Sequence, residues 1–164
     1  MALRRILGFE HPMLREKTKK VSRIDASVIK LLDDLTETML AAPGAGLAAP
    51  QVGVGLRVCV VKGDDTQIWG LVNPELVKGS GIQVGYEGCL SYPGWIGEVA
   101  RYENVIVKGR NRQGKEVRIR SSGFTARAFQ HELDHLDGVL FIDRLTSLDT
   151  LHKVEDEEAV AAPA

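Results

Sequence analysis

Val28, Leu31, Leu32, Leu35 and Met39 recur at three- and four-residue intervals, which puts them on one face of a helix over about residues 25–41. Asp25 ahead of that stripe is of the N-cap type, and Pro43-Gly44 behind it is a stop. The apolar face needs a partner, so the helix is predicted to lie across a sheet. Short strand-like runs follow at 56–61, 68–73, 83–86, 104–108 and 115–120, punctuated by glycines and two prolines. Val105 and Val107 recur at the two-residue strand period as Val117 and Ile119 do, and the turn-rich Arg110-Asn111-Arg112-Gln113-Gly114 between them predicts a hairpin. Phe129, Leu133 and Leu136 then form an i, i+4, i+7 stripe before Gly138, which predicts a second helix over 123–136.

No repeat or composition break divides the 164 residues, so 1–153 reads as one domain and the acidic, alanine-rich 154–164 as a frayed tail. The 21 Lys+Arg against 22 Asp+Glu leave a formal charge of −1, which argues against a protein built mainly to grip nucleic acid, DNA included. No apolar run reaches the roughly 18 residues of a membrane span, and the opening segment lacks the form of a secretion signal. A cytoplasmic location is expected. Cys59 and Cys89 are too few for a disulfide framework, so each is judged by its surroundings.

Chemistry concentrates in the second helix, at His131-Glu132-Leu133-Asp134-His135. Histidines four apart share a helix face and can converge on one metal ion, with Glu132 beside them as a base toward a water. Coincidence is a poor explanation in a chain with only 4 His. A catalytic site of this kind needs a third protein ligand. The metzincin pattern fails, because Phe141 stands where its third histidine would fall. Glu155, Glu157 and Glu158 sit in the acidic end, a weak platform for a rigid ligand. His11, His152 and the two cysteines remain. Cys89 has the best setting, in what reads as a glycine-bearing loop, Tyr86-Glu87-Gly88-Cys89-Leu90-Ser91, whereas Cys59 sits in an apolar strand run and reads as structural. A Cys/His/His set suits Zn²⁺ or ferrous iron equally. Arg127, one turn before His131, either positions a neighbouring carboxylate or solvates the helix, the second being the plainer reading. A third segment, 44–53, has Gly44 and Gly46 for close backbone approach to a ligand and Gln51 as an amide donor; seen alone it also reads as a helix-to-strand turn.

Taken together, Gly44-x-Gly46-x-x-x-x-Gln51, Glu87-Gly-Cys-Leu-Ser91 and Gln130-His-Glu-x-Asp-His135 resemble the three motifs of the peptide deformylases, in the same order, with further likeness over about residues 6–145. The short spacing between the first two motifs resembles the bacterial type 1 branch. The resemblance implies an α+β fold, with mixed and antiparallel strands packed around a central helix that carries the metal motif. It implies Cys89, His131 and His135 as ligands of one divalent ion, ferrous iron in the cell, with zinc, nickel or cobalt in purified protein. Glu132 would be the general base. Gln51 and the Leu90 N–H would stabilise the oxyanion, and Gly44, Ala45 and Gly46 would contact the substrate, an N-formylmethionyl nascent peptide that loses formate. Ala45 replaces a branched residue common in the family, which thins that wall of the methionine pocket and implies tolerance of bulkier first residues. The acidic end departs from the basic helix by which relatives dock on the ribosome, so any transient ribosome contact would use another surface. A metallopeptidase would share Glu132 and the histidines, and a plain metal-binding module would need neither Glu132 nor Gln51.

Overall fold

Asp25 opens the first helix of this computed structural model, which describes residues 2–154. Its carboxylate accepts from the Ser27 and Val28 amides, and α1 spans Ala26–Ala41. The strands are β1 (Gly46–Ala48), β2 (Val58–Lys62), β3 (Ile68–Ser80), β4 (Gln83–Cys89), β5 (Tyr92–Arg101), β6 (Asn104–Arg110), β7 (Glu116–Ser122) and β8 (His152–Lys153), with α2 (Gly123–Leu136) after β7. Gly138, at φ 77°, takes the left-handed turn that ends α2. The acidic end, residues 155–164, lies outside the described residues.

Two sheets form, one of order β1-β2-β3-β6-β7 and one of order β4-β5-β8. Among the described residues every ladder is antiparallel, so the expected mixture reduces to one isolated parallel bridge between Lys19 and Leu56. The two-residue strand period sorts the five-stranded sheet's side chains between two helices. On one face Cys59, Val61, Leu71, Val105, Val107 and Ile119 pack against Ala126, Phe129, Leu133 and Leu136 of α2. On the other, Leu47, Val58, Val60 and Val72 meet Val28, Leu31, Leu32, Leu35 and Met39 of α1. Each such fully buried aliphatic or aromatic side chain contributes on the order of 1.5–3 kcal/mol of transfer free energy. Among the described residues no helix is long and apolar enough to cross a membrane.

Three strand expectations need correction. β3 continues from residue 73 to Ser80, although Glu75, Leu76, Val77 and Lys78 are all exposed and show no alternation; pairing with β6 through two register shifts carries it on. β4 runs to Cys89, so the thiol belongs to a strand end and not to a loop. β5 had no local signal because Pro93, Gly94 and Gly97 interrupt it; it exists because β4 pairs along it, and a side chain at Gly97 would collide with Leu145.

Candidate metal centre and active site

His131 and His135 project from the side of α2 facing the end of β4, with ring centroids 4.9 Å apart. Cys89 closes the group: its Sγ lies 3.3 Å from His135 Nε2, and one donor atom from each of the three residues falls within 4.8 Å of the others. All three residues are buried. Metal bonds of about 2.0–2.3 Å in a tetrahedron place neighbouring donors about 3.3–3.8 Å apart, so the cluster has the span of a metal site. His131 Nε2 and both carboxylate oxygens of Glu132 are buried without a hydrogen-bond partner among the described residues, and a cation with its water satisfies such atoms.

The other ligand candidates lie elsewhere. Cys59 is sealed in the core under α2. His11 caps the 3-10 turn Pro12–Arg15 by accepting from the Met13 amide, and His152 is exposed on β8. Glu155, Glu157 and Glu158 lie outside the described residues.

Electrostatics prepare the ligands. Burial, then the charge of nearby His131, hold His135 well below the usual imidazole range, so it is neutral with a free lone pair. Burial pushes the Cys89 thiol up, so only a strong local positive charge will ionise it, which a metal ion provides. Burial, then the charge of Glu87, raise Glu132 well above the usual carboxylate range. Burial also works against ionised Glu87, but hydrogen bonds from Arg101 and His131 outweigh it and hold that carboxyl below its ordinary range.

Glu87 is the hub of a buried ionic network. Its Oε1 is 2.9 Å from His131 Nδ1; accepting that N–H leaves Nε2 unprotonated toward the cluster. Arg101 donates to both Glu87 oxygens at 2.8 Å and reaches Asp134 at 2.6 Å, and Arg144 grips the same Asp134 from the surface. Arg127 corrects the plainer sequence reading: it is buried and donates to Glu87 Oε2 at 2.6 Å, so it positions a carboxylate and does not solvate the helix. Arg101, Asp134 and Ser91 carry roles that sequence reasoning missed. Glu87 and Ser91 lay inside a recognised motif, but Arg101 meets Glu87 from 14 residues away and had no local signal.

The segment 44–53 supplies the opposite wall. Its first residues pair as β1 with β2, so it is a strand followed by a 3-10 turn, Ala49–Val52. Gln51 is fully buried; its Oε1 accepts from the Ala48 amide at 3.0 Å, which fixes the side-chain flip. Its Nε2 is thereby turned to Ser91 Oγ at 3.1 Å and stands 3.7 Å from Cys89 Sγ. Gly46 lies against Glu132: a Cβ there would stand 2.6 Å from Oε2, so any side chain would force Glu132 or β1 to shift. Gly44 and Ala45 are half-buried, with the Ala45 carbonyl taken by the Lys62 amide. Leu90 sits in the turn between β4 and β5. The amino-terminal segment ties these walls together, because Leu7 N–H donates to the Gln51 carbonyl at 2.8 Å and Phe9 N–H to the Ser91 carbonyl at 3.0 Å.

The family profile described as polypeptide deformylase matches residues 3–151. The chain belongs to the polypeptide deformylase family. A peptide deformylase of Symbiobacterium thermophilum is 51% identical over all of this chain and 76% of its own length. Another, of Dehalococcoides mccartyi, is 50% identical over 96% of this chain and 95% of its own. Among solved structures, a Legionella pneumophila peptide deformylase superposes with TM-score 0.86 at 43% identity, covering 91% of this chain and 89% of that one. A Synechococcus elongatus peptide deformylase in complex with actinonin gives TM-score 0.85 at 35% identity, over 92% and 86% of the two chains. The α+β architecture read from the sequence is thus a deformylase fold, and the Cys/His/His group sits in a metal-dependent family.

Proposed function

We propose that this chain removes the formyl group from the N-terminal methionine of newly made polypeptides, releasing formate and a free amine. The observation that carries the reading is the buried convergence of Cys89, His131 and His135 with an unpartnered Glu132 carboxylate beside them. Cys89 Sγ, His131 Nε2 and His135 Nε2 would hold one divalent ion, ferrous iron in the cell, with zinc, nickel or cobalt able to occupy the same donors. Bound there, the ion supplies a Lewis acid that polarises the formyl carbonyl and acidifies a water molecule. Glu132 takes a proton from the attacking water on a carboxylate oxygen and passes one to the departing amine nitrogen as the C–N bond breaks. Its raised affinity for protons suits both halves of that exchange. Gln51 Nε2 and the Leu90 N–H donate to the oxygen on which charge develops, one such donor being worth about 3 kcal/mol of barrier. Gly44, Ala45 and Gly46 line the path of the extended substrate, and the small Ala45 leaves space beside the first side chain. A cytoplasmic location follows from that substrate.

The test is formate release from formyl-Met-Ala-Ser peptide by protein purified without oxygen. Glu132→Gln is expected to keep its metal and lose turnover by about a hundredfold or more. Near-normal turnover in the metal-loaded variant, or wild-type cleavage of internal bonds in blocked, unformylated peptides, would overturn the reading.

A further inference from the structure

Ser91 lies between two groups of the proposed centre, only 2% exposed, and has no part in the reaction as described. It belongs to the short turn that joins β4 to β5, across which Cys89 and Tyr92 are paired. The amino-terminal segment holds that turn from outside, the Phe9 N–H donating to the Ser91 carbonyl at 3.0 Å. With its backbone fixed in this way, the serine presents its hydroxyl to Gln51 on one side and to Cys89 on the other.

Elimination fixes the direction of each hydrogen bond around that hydroxyl. An amide side chain has one accepting end and one donating end, and Gln51 uses the accepting end, Oε1, for the Ala48 N–H. Flipping the amide would set two donors against each other, so Nε2 is the atom 3.1 Å from Ser91 Oγ, and the serine oxygen accepts there. The serine proton must then go to a different acceptor, and Cys89 Sγ is the one at hand. Burial pushes the Cys89 thiol up, and hydrogen bonds to its sulfur from the Ser91 amide and hydroxyl work the other way. Donation therefore runs in one direction, from the Ala48 N–H through Gln51 and Ser91 to Cys89.

We infer that Ser91 is a positioning residue for deformylation, acting through Gln51 and Cys89 and not on the substrate; for the roles of those two groups the inference rests on the proposed function. As an acceptor, Ser91 pins one N–H of the Gln51 amide. That fixes the plane of the amide and so the direction of its second N–H, the one left for the oxygen on which charge develops. As a donor, Ser91 draws charge from the sulfur through a charge-assisted hydrogen bond. An ion held by Cys89, His131 and His135 then keeps more of its positive charge for the formyl carbonyl. Alanine would fill most of the same space, so a side chain that only packed would not need the hydroxyl.

The experiment compares the full-length wild type, Ser91→Ala and Ser91→Thr, each loaded with cobalt(II) as a spectroscopic probe and, separately, with zinc for competition against a chelator. Without the O–H donor the sulfur lone pairs rise in energy. The near-ultraviolet thiolate-to-cobalt charge-transfer band of Ser91→Ala is therefore expected at longer wavelength than in wild type, with the visible cobalt bands still those of a four-coordinate site. Zinc affinity is expected to fall about tenfold, and kcat on a formyl-Met peptide by about 10–100-fold at unchanged KM. Ser91→Thr keeps the hydroxyl and is expected to return both band and kcat toward wild type. A wild-type band or a wild-type kcat in Ser91→Ala overturns the inference, even if its Tm is lower, because a fall in Tm alone is lost packing. So does a threonine variant shifted as far as the alanine one. Absence of formate release from the loaded wild type would instead refute the deformylase reading, and the band and zinc affinity, read without turnover, would still show whether Ser91 donates to Cys89.

Discussion

Adding one methyl group at Gly46 tests the active-site geometry more sharply than removing a catalytic group. In Gly46→Ala the new Cβ would stand 2.6, 2.8 and 2.9 Å from Oε2, Cγ and Cδ of Glu132, where about 3.5–4.0 Å is comfortable for carbon. Glu132 is fully buried and rooted in α2, and β1 is held by its ladder to β2, so neither retreats freely. The displacement required is about 1 Å, with an overpacking cost of about 1–3 kcal/mol. A shift of that size in a catalytic group costs on the order of a hundredfold in rate. The expected outcome is therefore a fall in kcat of about a hundredfold with little change in KM, full metal content, and a Tm lowered by roughly 2–10 °C. The Gly46 backbone remains in place to meet the substrate. Since the defect acts through Glu132, the double variant Gly46→Ala/Glu132→Gln should be scarcely slower than Glu132→Gln alone. Steady-state kinetics on a formyl-Met peptide with metal analysis of each sample measure this. Wild-type kcat in Gly46→Ala, or multiplicative losses in the double variant, would show that Glu132 does not depend on the missing side chain.

Metal retention after dialysis separates the cysteines: Cys89→Ala is expected to lose the ion, while Cys59→Ala keeps it and loses only packing, up to a few kcal/mol. The reverse would move the centre to the wrong face of α2. Arg101→Met leaves Glu87 and Asp134 under-compensated in the interior, so denaturant unfolding should report a loss of about 3–5 kcal/mol, and Arg101→Lys should not restore it because it cannot donate to both Glu87 oxygens in parallel. Asp34, buried on α1, is lowered from an ordinary 3.8 to about 2: burial opposes its ionisation, and hydrogen bonds from Lys30, Arg4 and the Ala2 amide prevail. Its contribution to stability is complete above about pH 4 and is lost as the pH falls through about 2, so Asp34→Asn should lower Tm at pH 7 and narrow the gap to wild type near pH 2; an unchanged gap would refute the linkage.

Both long helices were legible from the chain itself, because a buried helix face repeats every three or four residues and caps are local: Asp25 and Gly138 signal the ends they make. The His131-Glu132-His135 spacing was equally local, since helix geometry alone brings those side chains to neighbouring positions. Tertiary structure decided what depends on pairing between distant segments. β5 has no pattern of its own and is a strand because β4 lies beside it. Cys89 and not His11 or His152 joins the histidines because β4 ends at α2. Gly46 looked like a substrate contact or a turn and also lies so close to Glu132 that a Cβ would collide with it. Arg127 read as a solvated helix residue until Glu87, 40 positions earlier in the chain, was placed beside it. A charge's partner is set by the fold's topology, and burial raises the energy at stake from the few tenths of a kcal/mol of a surface pair to several, so the meaning of Arg101, Arg127 and Glu87 exists only in three dimensions.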